Sequence, residues 1–311
     1  MTATDNWSTA DIPDQTGRTV IVTGANGGIG VATTELLARR AAHVIMAVRD
    51  VSRGRQARAG VLERHPGASL EVRRIDMVDL DSVRKFADDI RRDGVEVDVL
   101  INNAGVMLTP RQLTPQGHEL HFATNHLGHF ALTGLLLDIL AHRKDPRVVT
   151  VSSLMHRAAR IRFDDLTHAR RYSRFAAYGQ SKLANVLFGL ELDRRLRAAG
   201  SPVRSLVTNP GYVATGLQTS HTAGVLRLML RAGNRLIAQD ATSGALAQVR
   251  AATDPDVEGG RFLAPEGWWE LRGHPHPVRP APAATALDTA RQLWELSEQL
   301  TGVPYDLPAA T

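Results

Sequence analysis

Short β-branched runs alternate with longer helical stretches along this 311-residue chain, and that alternation constrains its fold more than any other feature. R-T-V-I-V-T at 18–23 predicts a buried strand, being brief, apolar and rich in valine. Further strand-like runs fall at 43–48, 69–75, 97–101, 147–152, 203–208 and 260–264. Helical stretches separate them at 28–40, 50–64, 79–92, 117–142, 175–199 and about 222–252. Strands that keep alternating with helices form a parallel sheet with helices on both faces. The pattern therefore predicts an α/β fold with about seven strands. Only 273–286, rich in proline and alanine, reads as irregular, and there is no internal repeat or composition break. We expect one domain over 1–311, with 1–16 an N-terminal extension and 265–311 a C-terminal one.

Composition narrows the chemistry. There are no cysteines, which excludes disulfides, thiolate catalysis and cysteine metal sites. The hydrophobic share of 43% is ample for a core. The net charge of +5 comes from scattered arginine pairs such as Arg39-Arg40 and Arg194-Arg195, a pattern of solvated helix faces rather than a nucleic-acid surface. Asp5, Asp11 and Asp14 interrupt the first 16 residues, so no signal peptide is expected. The longest apolar stretch, 130–141, contains Asp138 and is too short to span a bilayer, so a cytoplasmic protein is expected.

Between the first strand and the first helix runs T-G-A-N-G-G-I-G, 23–30. Glycines here let backbone amides approach a pyrophosphate that a side chain would block. The spacing differs from G-x-G-x-x-G, so the strand–turn–helix context carries the reading. Gly24, Asn26, Gly28, Ile29 and Gly30 are the candidate contacts. The second strand ends A-V-R-D, where an acid would hold a ribose 2′-hydroxyl and a basic group a 2′-phosphate. Val48 stands at the acid's place and Arg49 follows; the forked guanidinium suits phosphate, which favours NADP(H) over NAD(H). A surface pair of Arg49 with Asp50 is the competing reading. Asp76 and Met77, after the third strand, are placed to meet an adenine, and Asn103, Ala104 and Gly105 of N-N-A-G would lie along the cofactor.

Downstream, Tyr178 and Lys182 stand four residues apart in Y-G-Q-S-K. One helical turn brings them side by side. Tyrosine is a poor acid–base group at neutral pH, with an unperturbed pKa of about 10, and a nearby cation lowers it. The spacing alone is common, so its weight comes from the rest of the chain.

Taken in order, T-G-A-N-G-G-I-G, N-N-A-G, T-N-H-L-G-H-F, V-S-S at 151–153, Y-G-Q-S-K and N-P-G-Y-V-A-T at 209–215 resemble the short-chain dehydrogenase/reductase family. E-L-H-F-A-T-N-H-L-G-H-F-A-L-T, S-S-L-M-H and L-W-E-L-S-E-Q-L-T-G are similar to its retinol-dehydrogenase-like branch. The resemblance spans 18 to about 264 and implies a Rossmann-type doubly wound sheet. It implies Tyr178 as the general acid or base, and Lys182 lowering its pKa and holding the nicotinamide ribose. It implies Ser153, rather than Ser152, polarising the carbonyl, and Asn125 holding a water that links Lys182 to solvent. Pro210, Gly211, Val213 and Thr215 would complete the cofactor site. The expected activity is NADP(H)-dependent transfer of a hydride between the nicotinamide and a carbonyl or alcohol. An NAD-dependent alcohol oxidiser and a non-catalytic dinucleotide-binding redox sensor are the alternatives; the second should have lost Tyr178 or Lys182. Relatives pair through helices matching 117–142 and 175–199, which implies a homodimer or homotetramer.

Two departures stand out. Ser153 and Tyr178 are 25 residues apart, longer than usual in the family, through an added segment around 162–172 that either lines the substrate mouth or lies on the surface. Ala41-Ala42 replaces the glycine that often ends the first helix, at little expected cost. His118, His121, His126 and His129 are close in sequence, but hydride transfer needs no metal and none is expected. His156 faces either substrate or solvent. Met107, Leu108, Leu154, Met155, Leu217, Leu226, Leu228 and Met229, in the least patterned stretches, point to an apolar small-molecule substrate.

Overall fold

The computed structural model describes residues 6–213 and 239–307. Eight strands form one sheet in the order β3-β2-β1-β4-β5-β6-β7-β8. They are β1 Thr19–Thr23, β2 His43–Val48, β3 Ser69–Arg74, β4 Val99–Asn102, β5 Arg147–Val151, β6 Arg204–Thr208, β7 Phe262–Pro265 and β8 Pro275–Pro277. All neighbours run parallel except β7 and β8. The eighth strand was hidden in the irregular-looking 273–286 stretch. It is an edge strand, where proline's missing N–H is tolerated.

The helices are α1 Gly28–Ala38, α2 Val51–Arg64, α3 Leu80–Arg92, α4 Leu120–Phe122, α5 Gly128–Ala141, α6 Arg174–Ala198, α7 Ala241–Thr253 and α8 Leu287–Thr301. Aspartates cap two of them: Asp50 accepts from the Arg53 N–H and Asp240 from the Ser243 N–H. Alternate strand residues feed two cores, one on each face of the sheet. Val20, Val22, Val44 and Met46 pack with Leu36, Leu37 and Val249. Ile21, Ile45 and Leu100 pack with Phe86, Phe130, Phe188 and Trp294. The terminal stretches join these cores. Trp7 is buried in the first, and its carbonyl bonds His274. Trp294 of α8 lies against Phe130, Phe188 and Tyr305 in the second. Among the described residues no helix is long and apolar enough to cross a membrane.

One departure costs more than the sequence suggested. Ala41 has φ 66°, in the left-handed region, where an L side chain is strained by about 1–2 kcal/mol. Ala42 N–H bonds back to the Leu37 carbonyl and closes the turn. Ala41→Gly is therefore expected to stabilise the fold by up to ~1 kcal/mol, less what glycine adds to unfolded-state entropy. Urea unfolding of both proteins measures it, and an unchanged or lower midpoint would contradict the strain.

Candidate active site

The sheet order reverses direction between β1 and β4, and in open α/β sheets ligands bind at such a switch, beyond the carboxyl ends of the strands. The loop leaving β1 meets the loop leaving β4 there. Gly24 has φ 69°, and a Cβ on it would lie 2.9 Å from the Ala104 Cα. A Cβ on Gly30 would lie 2.4 Å from the Gly24 carbonyl oxygen and 2.8 Å from Asn103 Nδ2. Those two glycines are fixed by close approach. Gly27 caps α1 without a side-chain hydrogen bond, so the first amides of that helix are left for a ligand. Asn26 and Ile29 line the same turn half-buried, and Gly28, at φ 52°, opens the helix. The cradle fits the pyrophosphate of a dinucleotide.

Thr23 holds it together. Its hydroxyl oxygen accepts from the Asn103 and Ala104 N–H groups, both at 2.9 Å, and Asn103 Nδ2 donates to the Thr23 carbonyl at 2.7 Å. Gln248, on α7, reaches Asn103 Oδ1 at 3.4 Å. His129 Nε2 lies 2.9 Å from the Thr23 hydroxyl, and its Nδ1 lies 3.0 Å from the Asn125 carbonyl. A carbonyl only accepts, so Nδ1 carries the proton and Nε2 accepts from Thr23. Burial pushes His129 down to about 4, which keeps it neutral. Thr23 and Gln248 were not singled out from the sequence, although Thr23 stood inside the glycine motif, and His129 was weighed there only as a metal ligand.

Asn125 lies in a π-helical turn, Ala123–Leu127, between α4 and α5. Such turns are rare and frequent at functional sites. Its Oδ1 accepts from the Val106 N–H at 2.8 Å, and its Nδ2 donates to the Val106 carbonyl at 3.0 Å and to Ser181 Oγ at 2.9 Å. Both amide protons are committed. The side chain latches the 105–106 loop to α6, which leaves neither of its amide protons for the expected water.

Lys182 and Tyr178 share one face of α6. Lys182 Nζ lies 5.9 Å from the Tyr178 ring centroid and donates to the Val151 carbonyl at 3.0 Å. A Cβ on Gly105 would lie 3.7 Å from that Nζ. The Ser153 side chain faces the Tyr178 phenol and pulls its pKa down, while its Oγ accepts from the Met155 N–H at 3.4 Å. Ser152 donates instead to the Lys182 carbonyl at 2.8 Å, which removes it from the site. Lysine was expected to lower the tyrosine's pKa. In the protein alone burial dominates: it pushes the Tyr178 phenol up to about 12, against a partial pull from Ser153, and Lys182 down to about 8.

The outer parts divide. Arg49 is exposed and makes no ion pair among the described residues, because Asp50 is spent capping α2. Val48 faces the core instead of a ligand, packed against the position of Gly54. Asp76 accepts from the Val78 N–H at 3.2 Å, and Met77 is buried against the start of α5. Gly211, at φ 74°, has the Leu271 carbonyl 2.6 Å from a built Cβ; Gln239 Nε2 donates to the Pro210 carbonyl at 2.7 Å. Val213 is buried and bridges to Gln239. Thr215, Leu217, Leu226, Leu228 and Met229 lie outside the described residues. Leu108 is buried, while Met107, Leu154 and Met155 are half-buried. His156 does not face solvent: it is buried, with Nδ1 2.8 Å from the Ser153 carbonyl and Nε2 accepting from the Ala281 N–H. His126 bonds Ser297 at 2.9 Å. The 162–172 segment is docked rather than loose. Gln180 accepts from the Arg162 N–H, and Phe163 and Leu166 pack on a third apolar cluster that includes Leu183 and Leu187.

The short chain dehydrogenase family model matches residues 18–225. Retinol dehydrogenase 13 of Homo sapiens is 41% identical over 307 residues, covering 95% of this chain and 87% of that protein. Polyprenol dehydrogenase of Mus musculus is 40% identical over 299 residues, covering 94% and 86%. A solved structure of an uncharacterised protein from Mycobacterium Paratuberculosis is 46% identical with a TM-score of 0.80, covering 97% of this chain and 100% of that one. The chain belongs to the short-chain dehydrogenase family and is an oxidoreductase acting on CH–OH groups. Within the family it falls in the retinol-dehydrogenase-like branch.

Proposed function

We propose that this enzyme is an NADP(H)-dependent oxidoreductase that interconverts an apolar carbonyl compound and its alcohol. The convergence of Ser153, Tyr178 and Lys182 beside the Gly24–Gly30–Asn103 cradle carries this reading. When bound, the nicotinamide supplies or takes up the hydride. Tyr178 is the proton donor or acceptor to the substrate oxygen. A phenol raised by burial is fully protonated at neutral pH, the state that reduction requires. Ser153 would hydrogen-bond the same oxygen, and Lys182, whose Nζ lies beside Gly105, would hold the ribose hydroxyls. The names of the relatives, a retinol and a polyprenol dehydrogenase, support a long apolar alcohol or aldehyde. The half-buried Met107, Leu154 and Met155 agree with it. Steady-state NADPH oxidation against aldehydes, ketones, retinoids, steroids and quinones tests the reading. Tight NADPH binding with no turnover on any of them would favour a redox sensor.

The exposed guanidinium of Arg49, unpaired among the described residues, supports the choice of NADP(H). Arg49→Ala should weaken NADPH by roughly ten- to more than a hundredfold, from a charge-assisted contact worth about 1.5–3 kcal/mol, and leave NADH nearly unchanged. Fluorescence titration with both cofactors measures it, and equal losses would point to NAD(H). Val48→Asp is a poor converse test, because it buries a carboxylate in the core.

A further inference from the structure

A buried carboxylate–imidazole pair stands beside Tyr178 that the chemistry above does not use. Glu119 and His121 are 1% and 0% exposed, with Glu119 Oε1 2.7 Å from His121 Nδ1. His121 Nε2 accepts from the Thr109 N–H at 3.2 Å. A backbone amide only donates, so the imidazole proton is on Nδ1 and points at the carboxylate. The second carboxylate oxygen accepts from the Phe122 N–H at 3.0 Å and caps α4. From the 162–172 segment, the Tyr172 hydroxyl reaches both the Thr109 carbonyl at 3.0 Å and Glu119 Oε1 at 3.2 Å. Burial and the Glu119 charge hold that phenol well above its ordinary pKa, so it stays a donor. The His121 ring meets the Tyr178 ring edge-on, with centroids 6.0 Å apart at 65°.

Four separate pieces of chain therefore meet at one point: the loop after β4, the start of the helical run bearing Asn125, the added segment, and the helix bearing Tyr178. A buried carboxylate is costly to keep unless its partners satisfy it. Here two of the carboxylate's partners, His121 and the Phe122 N–H, come from its own helical start and a third, Tyr172, from the added segment, and the aromatic contact is to the acid–base residue itself.

We propose that Glu119 and His121 are positioning residues for the Tyr178 ring, and that Tyr172 keys the 162–172 segment to them. Docking of that segment and placement of the phenol are then one event. This rests on Tyr178 being the acid–base residue. Proton transfer needs the phenol within hydrogen-bond reach of the substrate oxygen, and a misplacement of about 1 Å costs about a hundredfold.

The test compares His121→Leu, His121→Asn, Glu119→Gln and Tyr172→Phe, reading kcat, KM and NADPH affinity separately. His121→Leu and Glu119→Gln should lower kcat by about 10- to 100-fold while NADPH affinity stays at the wild-type value. His121→Asn keeps a donor for Glu119 and should recover part of the loss. Tyr172→Phe keeps the ring and drops the hydroxyl. It should lower kcat less than His121→Leu and raise KM for long substrates more than for short ones. Its loss should not add to that of Glu119→Gln in the double variant, because both act on one cluster. Wild-type kcat in His121→Leu, or a kcat loss matched by an equal loss of NADPH-binding sites, overturns the proposal. If His121→Leu does not fold, additive losses for Glu119→Gln and Tyr172→Phe overturn it instead. Tyr178→Phe runs alongside: if it is inactive while the His121 variants are fully active, only the positioning role falls. If Tyr178→Phe is active, the acid–base reading falls first and takes this proposal with it.

Discussion

Tyr178→Phe is expected to lose turnover by at least ~10²–10⁴, the contribution typical of a general acid. The substitution removes one oxygen and leaves the ring. The ring is what packs: Tyr178 is 8% exposed, and its edge contact with His121 needs no hydroxyl. The fold and the NADPH cradle at Gly24, Gly30 and Asn103 should therefore survive. The hydroxyl's neighbour in the protein is Ser153, which already accepts from the Met155 N–H and keeps that bond without the phenol. Rate and NADPH affinity measured on the same preparation separate the two effects. If the Phe variant kept more than a tenth of the wild-type rate, the proton would have to come from elsewhere and the assignment would be wrong.

Lys182→Met should move the pH dependence upward and weaken the cofactor. Below a pKa of about 8, Lys182 is a buried cation 5.9 Å from the phenol ring. A cation at this range favours the phenolate and lowers a tyrosine's pKa. Without it the phenol stays protonated to higher pH. Alcohol oxidation needs the phenolate, so its rising limb should shift to higher pH and its rate near neutrality should fall steeply. Carbonyl reduction needs the neutral phenol, so its falling limb should shift the same way. Profiles of kcat/KM in both directions, from below pH 8 to well above it, test the sign. Identical profiles for wild type and variant would remove Lys182 from the proton chemistry. Methionine also leaves the Val151 carbonyl to Asn185 alone, which donates to it at 3.0 Å, so a modest stability loss should accompany the shift.

The parts of the site legible in the sequence were those that local spacing encodes. Gly24 and Gly30 were readable because close backbone approach tolerates only glycine, and the structure finds the atoms that forbid a Cβ at each. Tyr178 and Lys182 were readable because one helical turn is a fixed geometry. Ser153 was separated from Ser152 by resemblance, and the structure supplies the physical reason, since Ser152 is bonded to the Lys182 carbonyl. Val48 could be placed at the strand end from the sequence, but the face its side chain takes was fixed only by the register. The net direction of the Tyr178 pKa was not legible either. Spacing showed the neighbouring cation but not the depth of burial, and burial is the stronger influence.

By itself the sequence determined the α/β alternation, the two-faced core and the glycine cradle, because periodicity and steric exclusion act over a few residues. Tertiary structure alone decided who bonds whom across long intervals. Thr23 meets His129 at a separation of 106 residues, and Glu119 meets Tyr172 at a separation of 53. It also decided that proline-rich 275–277 would be an edge strand and that Ala41 would take a left-handed turn. Buried polar groups accept whatever partner the packed chain brings within about 3 Å, and that choice is made only when the layers close.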